Sequence, residues 1–325
     1  MSHQKYPSHD PIKEPHSVSV KVLRLSQPSL VTQYPIEPPF SPPSTKSPSA
    51  AASLAYSSSA DTNSDPFLLS PILNLPVSFG SAYVGETFNC TLCANNDLPT
   101  DSGKRVRDVR IEAEMKTPGL GGSQKLELSP ATTEDDSGAA GGGVDLEPGE
   151  TLQKILGFDL KEEGNHVLAV TVSYYEATET SGRTRTFRKL YQFICKASLI
   201  VRTKVTDLEV DGGSDGRKKW VLEAQLENCS EDVMQLEKVV LDIENGLGYQ
   251  DCNWDLNGGE KPVLHPTEVE QVCFVVQEKE DGDASAKITP DGRLIFGVLG
   301  IGWRGEMGNR GFLSTGKLGA RIPTR

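Results

Sequence analysis

The cysteines and histidines are the residues of this sequence that could perform nucleophilic, redox or metal chemistry. Cys90 and Cys93 form a single CxxC pair. On a strand, side chains three positions apart point to opposite faces, so these two thiols do not converge on one metal ion. Beyond residue 16 the histidines are His166, which opens an apolar segment, and His265, which precedes a proline. Structural roles are favoured for all four residues, and the sequence predicts no catalytic site, no cofactor and no metal.

Glycine-rich and acidic segments are the next candidates, for phosphate and calcium binding. The glycine runs at 119–122 and 141–143 lack the Lys-Ser/Thr ending and the following helix that a phosphate-binding loop requires. The acidic residues at 162–163 and 278–283 flank predicted turns, so we interpret them as solvated charge. Calcium binding there would be unspecific.

Two groups of residues remain as candidates for binding another protein. The first is the basic segment 183–205, which has no acidic residue in a chain of formal net charge −12. The second is a hairpin at 302–315, where aromatic residues and arginines share a turn, as they often do at binding surfaces. Each group has an alternative interpretation. The basic residues could instead protect an edge strand from aggregation, and Trp303 of the hairpin could instead pack inward. The predicted protein-binding residues are Arg183, Arg185, Arg188, Lys189, Trp303, Arg304, Arg310 and Phe312.

The elements that must position these residues are β-strands. The segment 183–205 is rich in aromatic and β-branched residues and contains neither proline nor glycine, which predicts one long strand or two strands end to end. Phe187, Tyr191 and Phe193 share one face of such a strand, and Arg188 lies on the other. We expect the aromatic face to be buried.

The same pattern of short alternating strands and turn residues recurs along the chain. One predicted strand ends in Asn95-Asn96-Asp97 and a later one ends in Asn228-Cys229-Ser230. The turn LEPGE at 146–150 is matched by LHPTE at 264–268, and a strand follows each. The segment Met234–Ile243 has helical propensity, but its apolar residues alternate, which favours a strand. The sequence therefore predicts an all-β fold of tandem immunoglobulin-like β-sandwiches.

Composition divides the chain further. Residues 35–66 are dominated by Pro, Ser, Ala and Thr and have too little apolar surface to offset the entropy of ordering, so we expect a disordered insertion there. The acidic, glycine-rich segment 132–143 is predicted to be a mobile loop. The predicted organisation is a disordered tail at 1–16, an N-terminal strand at 17–34, the disordered Pro/Ser-rich insertion at 35–66, a first β-sandwich at 67–200 and a second at 201–325.

Charge and hydropathy exclude several classes of protein. The 45 acidic residues outnumber the 33 basic ones, and such a field repels polyphosphate, so nucleic acid is not an expected partner. No apolar run approaches the length of about 20 residues that spans a bilayer, and the N-terminus lacks the apolar core of a signal peptide. The six cysteines divide three and three between the predicted domains, which favours reduced thiols. We therefore expect a cytosolic protein.

Several blocks of sequence resemble one known family. They are VKVLRLSQPSL at 20–30, LPVSFGSAYVGETFNCTLCANND at 75–97, FRKLYQF at 187–193, LEAQLENCS at 222–230, MQLEKVVL at 234–241 and LGIGWRGEMGNRGFLSTGKL at 299–318. In this order they resemble the trafficking protein particle (TRAPP) complex subunit 13 family. The resemblance implies a non-catalytic, immunoglobulin-like β subunit of a cytosolic tethering complex that promotes nucleotide exchange on a Rab-family GTPase. Animal members look longer, with a further β-rich region after the position that matches Pro323.

The predicted function is a non-catalytic accessory or scaffold subunit of the TRAPP vesicle-tethering complex, acting in ER-to-Golgi and Golgi trafficking and in autophagy. Its expected partners are other TRAPP subunits and, indirectly, a Rab-family GTPase and early secretory membranes. Its expected location is the cytoplasm, at the periphery of Golgi and early secretory membranes. A free arrestin-like cargo or ligand adaptor is the alternative, and a cysteine-dependent enzyme is a third hypothesis.

Overall fold

The computed structural model describes residues 14–30, 55–56, 67–68, 73–75, 81–119, 121–131, 142–208, 218–254, 259–279, 289–290 and 292–321. These residues form strands and turns and include no α-helix, so the predicted all-β class is confirmed. Nor do they include a helix long and apolar enough to cross a membrane. Nearly all of the predicted insertion at 35–66, and most of the predicted loop at 132–143, lie outside the described residues.

The described strands are numbered in chain order. The first eleven are β1 (Val18–Arg24), β2 (Ser29–Leu30), β3 (Ala55–Tyr56), β4 (Phe67–Leu68), β5 (Leu73–Asn74), β6 (Ala82–Tyr83), β7 (Thr87–Asn96), β8 (Arg105–Lys116), β9 (Ser123–Leu126), β10 (Ser129–Pro130) and β11 (Val144–Leu146). The others are β12 (Thr151–Asp159), β13 (Gly164–Ala177), β14 (Gly182–Lys196), β15 (Leu199–Leu208), β16 (Lys219–Asn228), β17 (Met234–Ile243), β18 (Leu247–Asp251), β19 (Val263–Leu264), β20 (Val269–Glu278), β21 (Arg293–Gly305) and β22 (Arg310–Arg321).

The chain divides into two compact units. Unit 1 comprises residues 1–24 and 81–196, and unit 2 comprises residues 25–80 and 197–325. The predicted N-terminal strand therefore begins in unit 1, where β1 pairs with β7. The domain limits predicted from the sequence, 67–200 and 201–325, remain predictions.

The described residues of unit 1 form two sheets. One has the strand order β1-β7-β12-β10 and the other has the order β11-β8-β13-β14-β6, with β9 paired to β8. The strands are antiparallel except for β6, which runs parallel to β14. Alternating apolar residues fill the space between the sheets, and Phe88 on β7 stacks on Phe193 on β14 with ring centroids 4.7 Å apart. This stacking joins the inward faces of the two sheets.

Unit 2 repeats this architecture. Its sheets have the strand orders β15-β16-β20-β18 and β19-β17-β21-β22, and two further pairs, β2–β5 and β3–β4, stand apart. One apolar cluster occupies the interior, where Trp220 on β16 lies 5.5 Å from Phe296 on β21 between ring centroids. The segment Met234–Ile243 is a strand, as its alternation predicts, and β21 and β22 form the predicted hairpin.

One turn in unit 1 is held by the last residue of β7, Asn96. The side-chain Nδ2 of Asn96 donates a 2.9 Å hydrogen bond to the Leu146 carbonyl. The backbone of Asn96 accepts a hydrogen bond from Gly149 N and donates one to the Glu150 carbonyl, both at 2.9 Å. Gly149 has a φ of 85°, a left-handed conformation that glycine adopts without steric cost.

The corresponding turn in unit 2 is held by the last residue of β16, Asn228. Its Nδ2 donates a 3.0 Å hydrogen bond to the Leu264 carbonyl. Its backbone accepts a hydrogen bond from Thr267 N at 2.8 Å and donates one to the Glu268 carbonyl at 2.9 Å. Thr267, with a φ of 71°, takes the left-handed position that Gly149 takes in unit 1. The two turns share these bonds at the same spacing, which supports an origin of the units as a tandem repeat.

Candidate protein-binding surfaces

The basic segment forms two consecutive strands, β14 and β15, which is one of the two arrangements predicted from the sequence. On β14 the aromatic side chains face inward, as expected: Phe193 is buried, and Phe187 and Tyr191 are half-buried. The intervening side chains, including Arg188, are exposed on the outward face. Alternation along a pleated strand therefore sets which residues of β14 can meet a partner.

Two of the predicted basic residues, Arg183 and Arg185, bind carboxylates of their own unit. Arg185 Nη1 lies 2.8 Å from Glu176 Oε2 and also donates to the Pro15 carbonyl at 2.8 Å. Arg183 forms ion pairs with Glu176, at 3.6 Å, and with Glu14. Residues 14–16, the end of the predicted tail, lie against β13 and β14, because arginines and aromatic side chains of these strands bind them. The disordered tail at 1–16 remains a prediction.

Glu176 is the centre of this ionic cluster and is only 3% exposed. Besides Arg185, it accepts a hydrogen bond from Ser17 Oγ at 3.0 Å and pairs with Lys104 at 3.0 Å. Burial alone raises the pKa of a carboxyl group, but the hydrogen bonds from Arg185, Lys104 and Ser17 outweigh burial and lower the pKa of Glu176 to about 2. Glu176 is therefore ionised in the folded protein at neutral pH, and it fixes the position of Arg185.

The other two basic residues predicted on this strand also have partners in unit 1. Arg188 Nη2 lies 2.7 Å from Glu114 Oε2 on the outward face of the sheet. Lys189 Nζ donates to the Val20 carbonyl at 3.3 Å. The segment is thus a less positive surface than its composition suggests, because Arg183, Arg185 and Arg188 are matched by carboxylates that are distant in sequence.

Two large apolar side chains are exposed on the outward face of β14. Leu190 is 60% exposed and Ile194 is 61% exposed. On the neighbouring strand β13, the buried Ala169 lies opposite Leu190, so the exposed apolar surface consists of the two β14 side chains. This pair was not predicted from the sequence, although the alternation that placed Arg188 outward also places Leu190 and Ile194 outward.

The hairpin of β21 and β22 separates its two aromatic residues. Trp303 is 3% exposed and belongs to the core of unit 2. It therefore packs inward and does not lie on the surface of the hairpin. Gly311 lies opposite Trp303, and a Cβ atom there would stand 2.2 Å from Trp303 Cε2. The indole therefore requires glycine at this position, and Trp303 acts as a core residue that shapes the hairpin.

Phe312, in contrast, is 56% exposed on the outward face. Its ring lies over Gly300 and Gly302 of β21, which have no side chains of their own to cover the backbone. Beside it, Arg304 Nε and Arg310 Nε lie 3.7 and 3.5 Å from the carboxylate of Glu237. Three of the four residues predicted in this hairpin therefore share one surface.

Three of the residues considered for catalysis or metal binding, Cys90, Cys93 and His166, are buried in unit 1. Cys90 and Cys93 are buried, and burial raises the pKa of both thiols, that of Cys90 to about 12. His166 is buried and stacks on Phe193 at 5.4 Å between ring centroids. Over the described ranges, no three His, Cys, Asp or Glu side chains are grouped so that they could hold a metal ion.

Comparison with known families covers both units. The model of the trafficking protein particle complex subunit 13 N-terminal domain matches residues 16–195, and the model of the middle domain of the same subunit matches residues 199–323. The chain belongs to the trafficking protein particle complex subunit 13 family. The resemblance noted in the sequence is thereby confirmed.

Relatives in this family carry the same subunit name. The protein of Xenopus tropicalis is 28% identical over 96% of this chain and 70% of its own length. The protein of Bos taurus is 29% identical over 97% of this chain and 72% of its own length. A probable homologue from Drosophila melanogaster is 28% identical over 95% of this chain and 65% of its own length. Among solved structures, the secreted serine protease VesC from Vibrio cholerae matches with a TM-score of 0.22 and 7% identity, covering 63% of this chain and 46% of VesC. That similarity is too low to bear on fold or activity.

Proposed function

We propose that this chain is a non-catalytic accessory subunit of a TRAPP vesicle-tethering complex. The observation that carries the proposal is the pair of family matches, which together run from residue 16 to residue 323. Its direct partners are other TRAPP subunits, and a Rab-family GTPase is an indirect partner. It acts at the cytoplasmic periphery of Golgi and early secretory membranes, in ER-to-Golgi traffic and autophagy.

The scaffold role depends on exposed sheet faces. Leu190 and Ile194 present apolar surface next to the ion pair of Arg188 and Glu114, a combination of apolar centre and polar rim that is common at protein interfaces. Phe312, flanked by Arg304 and Arg310, is the corresponding feature of unit 2. Arg183, Arg185 and Lys189 contribute indirectly, by binding residues 14, 15 and 20 to the opposite side of β14.

The proposal is tested by size-exclusion chromatography of native extract from cells that carry a tagged copy of the chain, followed by identification of the co-eluting proteins. We expect elution in a large particle that contains other TRAPP subunits. Elution at the size of the isolated chain would contradict the subunit role and favour a free arrestin-like adaptor. In a second assay, the purified chain alone should not accelerate GDP release from the Rab, and acceleration would contradict the non-catalytic role.

The β14 face is tested with the double variant Leu190→Asp, Ile194→Asp. We expect loss of co-elution with the other subunits, because two carboxylates replace the exposed apolar side chains of the interface. The matched control is Leu208→Asp, which changes an exposed leucine of unit 2 and should leave co-elution intact. Unchanged co-elution of the double variant, with unchanged circular dichroism, would exclude this face.

Charge reversal at single arginines refines the same test. Arg188→Glu changes an exposed residue whose partner, Glu114, is also accessible, so it probes binding without disturbing the core. A change at Arg185 would instead remove one of the cations that bind the buried Glu176 and would confound binding with stability. Phe312→Ser applies the equivalent test to the hairpin.

A further inference from the structure

Two cysteines of unit 2, Cys252 and Cys273, lie side by side on neighbouring strands. The register of β18 and β20 pairs Asp251 with Phe274, so the next pair along the strands is Cys252 with Cys273. The backbone confirms this pairing, because Cys252 N donates a 3.1 Å hydrogen bond to the Cys273 carbonyl. Directly opposed residues of an antiparallel pair have Cα atoms about 4.5–5.5 Å apart, within the range of about 4.4–6.8 Å that disulfides span.

Both thiols lie on the outward face of the sheet. The neighbours of Cys273 along β20, at 272 and 274, are fully buried, so alternation directs Cys273 away from the core. Cys252 is exposed and Cys273 is half-buried. The segment around them is held in place by Asn253, whose Oδ1 accepts a 2.8 Å hydrogen bond from Cys273 N.

The remaining cysteine of unit 2 cannot compete for either thiol. Cys229 follows β16, whereas Cys273 lies opposite Glu223 on the same strand. Glu223, the neighbour of Cys273, and Cys229 are six residues apart, which corresponds to about 20 Å along an extended strand. Cys252 and Cys273 are both free thiols in the structure.

We propose that Cys252 and Cys273 are a redox-sensitive pair that forms an intrachain disulfide when the protein meets a peroxide. This modification is separate from the proposed subunit role. It covalently links the end of β18 to β20, at the open edge of the sheet.

The two thiols have different tasks in the reaction. Burial raises the pKa of the Cys273 thiol, as do the charge and hydrogen bond of Cys252, so Cys273 is the poorer first nucleophile. The exposed Cys252 attacks the peroxide: an S–O bond forms, the O–O bond breaks, and water leaves after protonation. The Cys273 sulfur then attacks the sulfenic acid at Cys252, forming the S–S bond and releasing a second water. The two thiols lose two electrons and hydrogen peroxide gains them, and a dithiol reductant reverses the change.

The experiment uses the full chain, reduced, desalted and then treated with hydrogen peroxide, with remaining thiols blocked by N-ethylmaleimide before digestion. Trypsin cuts poorly before Pro262 and tends to leave both cysteines on one peptide. A protease that cuts after glutamate separates them, because Glu260 and Glu270 lie between them. We expect a cross-linked peptide pair that contains Cys252 and Cys273 and disappears on reduction, with a thiol count two below the six of the reduced chain.

Matched variants test the assignment. Cys252→Ser should abolish the cross-link, and Cys229→Ser should leave it intact. The proposal is overturned if peroxide carries Cys252 to sulfinic acid while Cys273 is still alkylated, or if the cross-link joins two chains or includes Cys229. The unmodified chain by itself distinguishes these outcomes, so poor folding of a variant does not remove the test.

Discussion

Units 1 and 2 have corresponding strands in the same order, but they close the same end of the sandwich with different chemistry. The strand order β11-β8-β13-β14 of unit 1 matches β19-β17-β21-β22 of unit 2. The last buried residue of β13 is Glu176, and the last buried residue of β21 is Trp303. In unit 1 a carboxylate gathers Arg185, Lys104 and Ser17, whereas in unit 2 an indole packs against a glycine.

The difference shows that one backbone arrangement can be completed by either an ionic or an apolar group. The ionic solution binds residues 14–17 to unit 1 through hydrogen bonds that an apolar side chain could not make. Its cost is the desolvation of a carboxylate, which close cations and a hydroxyl donor offset. The apolar solution has no such dependence on partners or on pH, so the two units should respond differently to mutation and to acid.

Removal of the carboxylate at Glu176 should have the largest effect. We expect Glu176→Ala to lower the free energy of unfolding of unit 1 by about 3 kcal/mol, because it deprives the nearly buried Arg185 of its carboxylate partner. Hydrogen–deuterium exchange of β13 and β14 reports unit 1, and tryptophan fluorescence reports unit 2, which contains all three tryptophans. The control Glu227→Ala breaks an exposed ion pair with Arg202 and should cost less than about 1 kcal/mol. Similar costs for the two variants would contradict the role assigned to Glu176.

Acid should separate the units in the same way. The pKa of Glu176 in the fold is about 2, below the ordinary 4.5, so its stabilisation is fully present above pH 4.5 and is lost as the pH falls toward 2. This loss amounts to about 3 kcal/mol of unit 1 stability. Glu176→Gln should flatten that pH dependence in exchange data for unit 1. If the variant and the unchanged chain lose protection in unit 1 at the same pH, the carboxylate is not the responsible group.

The two asparagine turns should differ in strength. Asn228 Nδ2 also donates to the Asp232 carbonyl at 2.9 Å, and Asn228 Oδ1 accepts a hydrogen bond from Ser230 Oγ at 2.7 Å. Asn96 makes two side-chain bonds, to the Leu146 carbonyl and from Leu98 N. We therefore expect Asn228→Ala to cost about 2–3 kcal/mol and Asn96→Ala about 1–2 kcal/mol, because buried backbone groups lose their partners.

Denaturant unfolding, followed by fluorescence for Asn228→Ala and by exchange for Asn96→Ala, measures both costs. Asn95→Ala is the control, since this neighbour of Asn96 is half-buried and bonds to the side chains of Ser19 and Thr151. Its effect should be the smallest of the three. A larger cost for Asn96→Ala than for Asn228→Ala would contradict the contribution assigned to the additional side-chain bonds of Asn228.

Local pattern was sufficient to predict the strands, because alternation and turn residues are properties of neighbouring positions. The segment Met234–Ile243 is an example, since its period outweighed its helical propensity. Alternation was also enough to place Phe193 inward. It could have placed Glu176 inward as well, because Glu176 follows Val172 and Tyr174 at spacings of two, but a charged residue is rarely interpreted as buried.

The partners of the basic residues could not be predicted in this way. Arg183 and Glu14 are 169 positions apart, and Arg188 and Glu114 are 74 apart. Such pairs depend on which strands become neighbours, and strand order is set by the packing of the entire unit. Composition therefore predicted a positive surface where the fold produces ion pairs.

The smallest predicted effect concerns the left-handed residue in each turn. A residue other than glycine in this conformation costs about 1–2 kcal/mol, and a glycine costs about 0.5–1 kcal/mol in unfolded-chain entropy. Exchanging the two residues should therefore move the two units in opposite directions. Gly149→Thr should destabilise unit 1 by about 1–2 kcal/mol, and Thr267→Gly should stabilise unit 2 by about 0.5 kcal/mol.

These substitutions measure the cost of the left-handed backbone conformation alone. No atom lies within 4 Å of a Cβ built on Gly149, so a Cβ there meets no obstacle. Gly149→Asn is the control, since asparagine tolerates the left-handed region and should cost less than threonine. Exchange protection of β12 gives the result for unit 1, and the denaturant midpoint of tryptophan fluorescence gives it for unit 2. If Thr267→Gly lowered that midpoint, the threonine would contribute more through its side chain than its backbone strain costs, and the two turns would not be energetically equivalent.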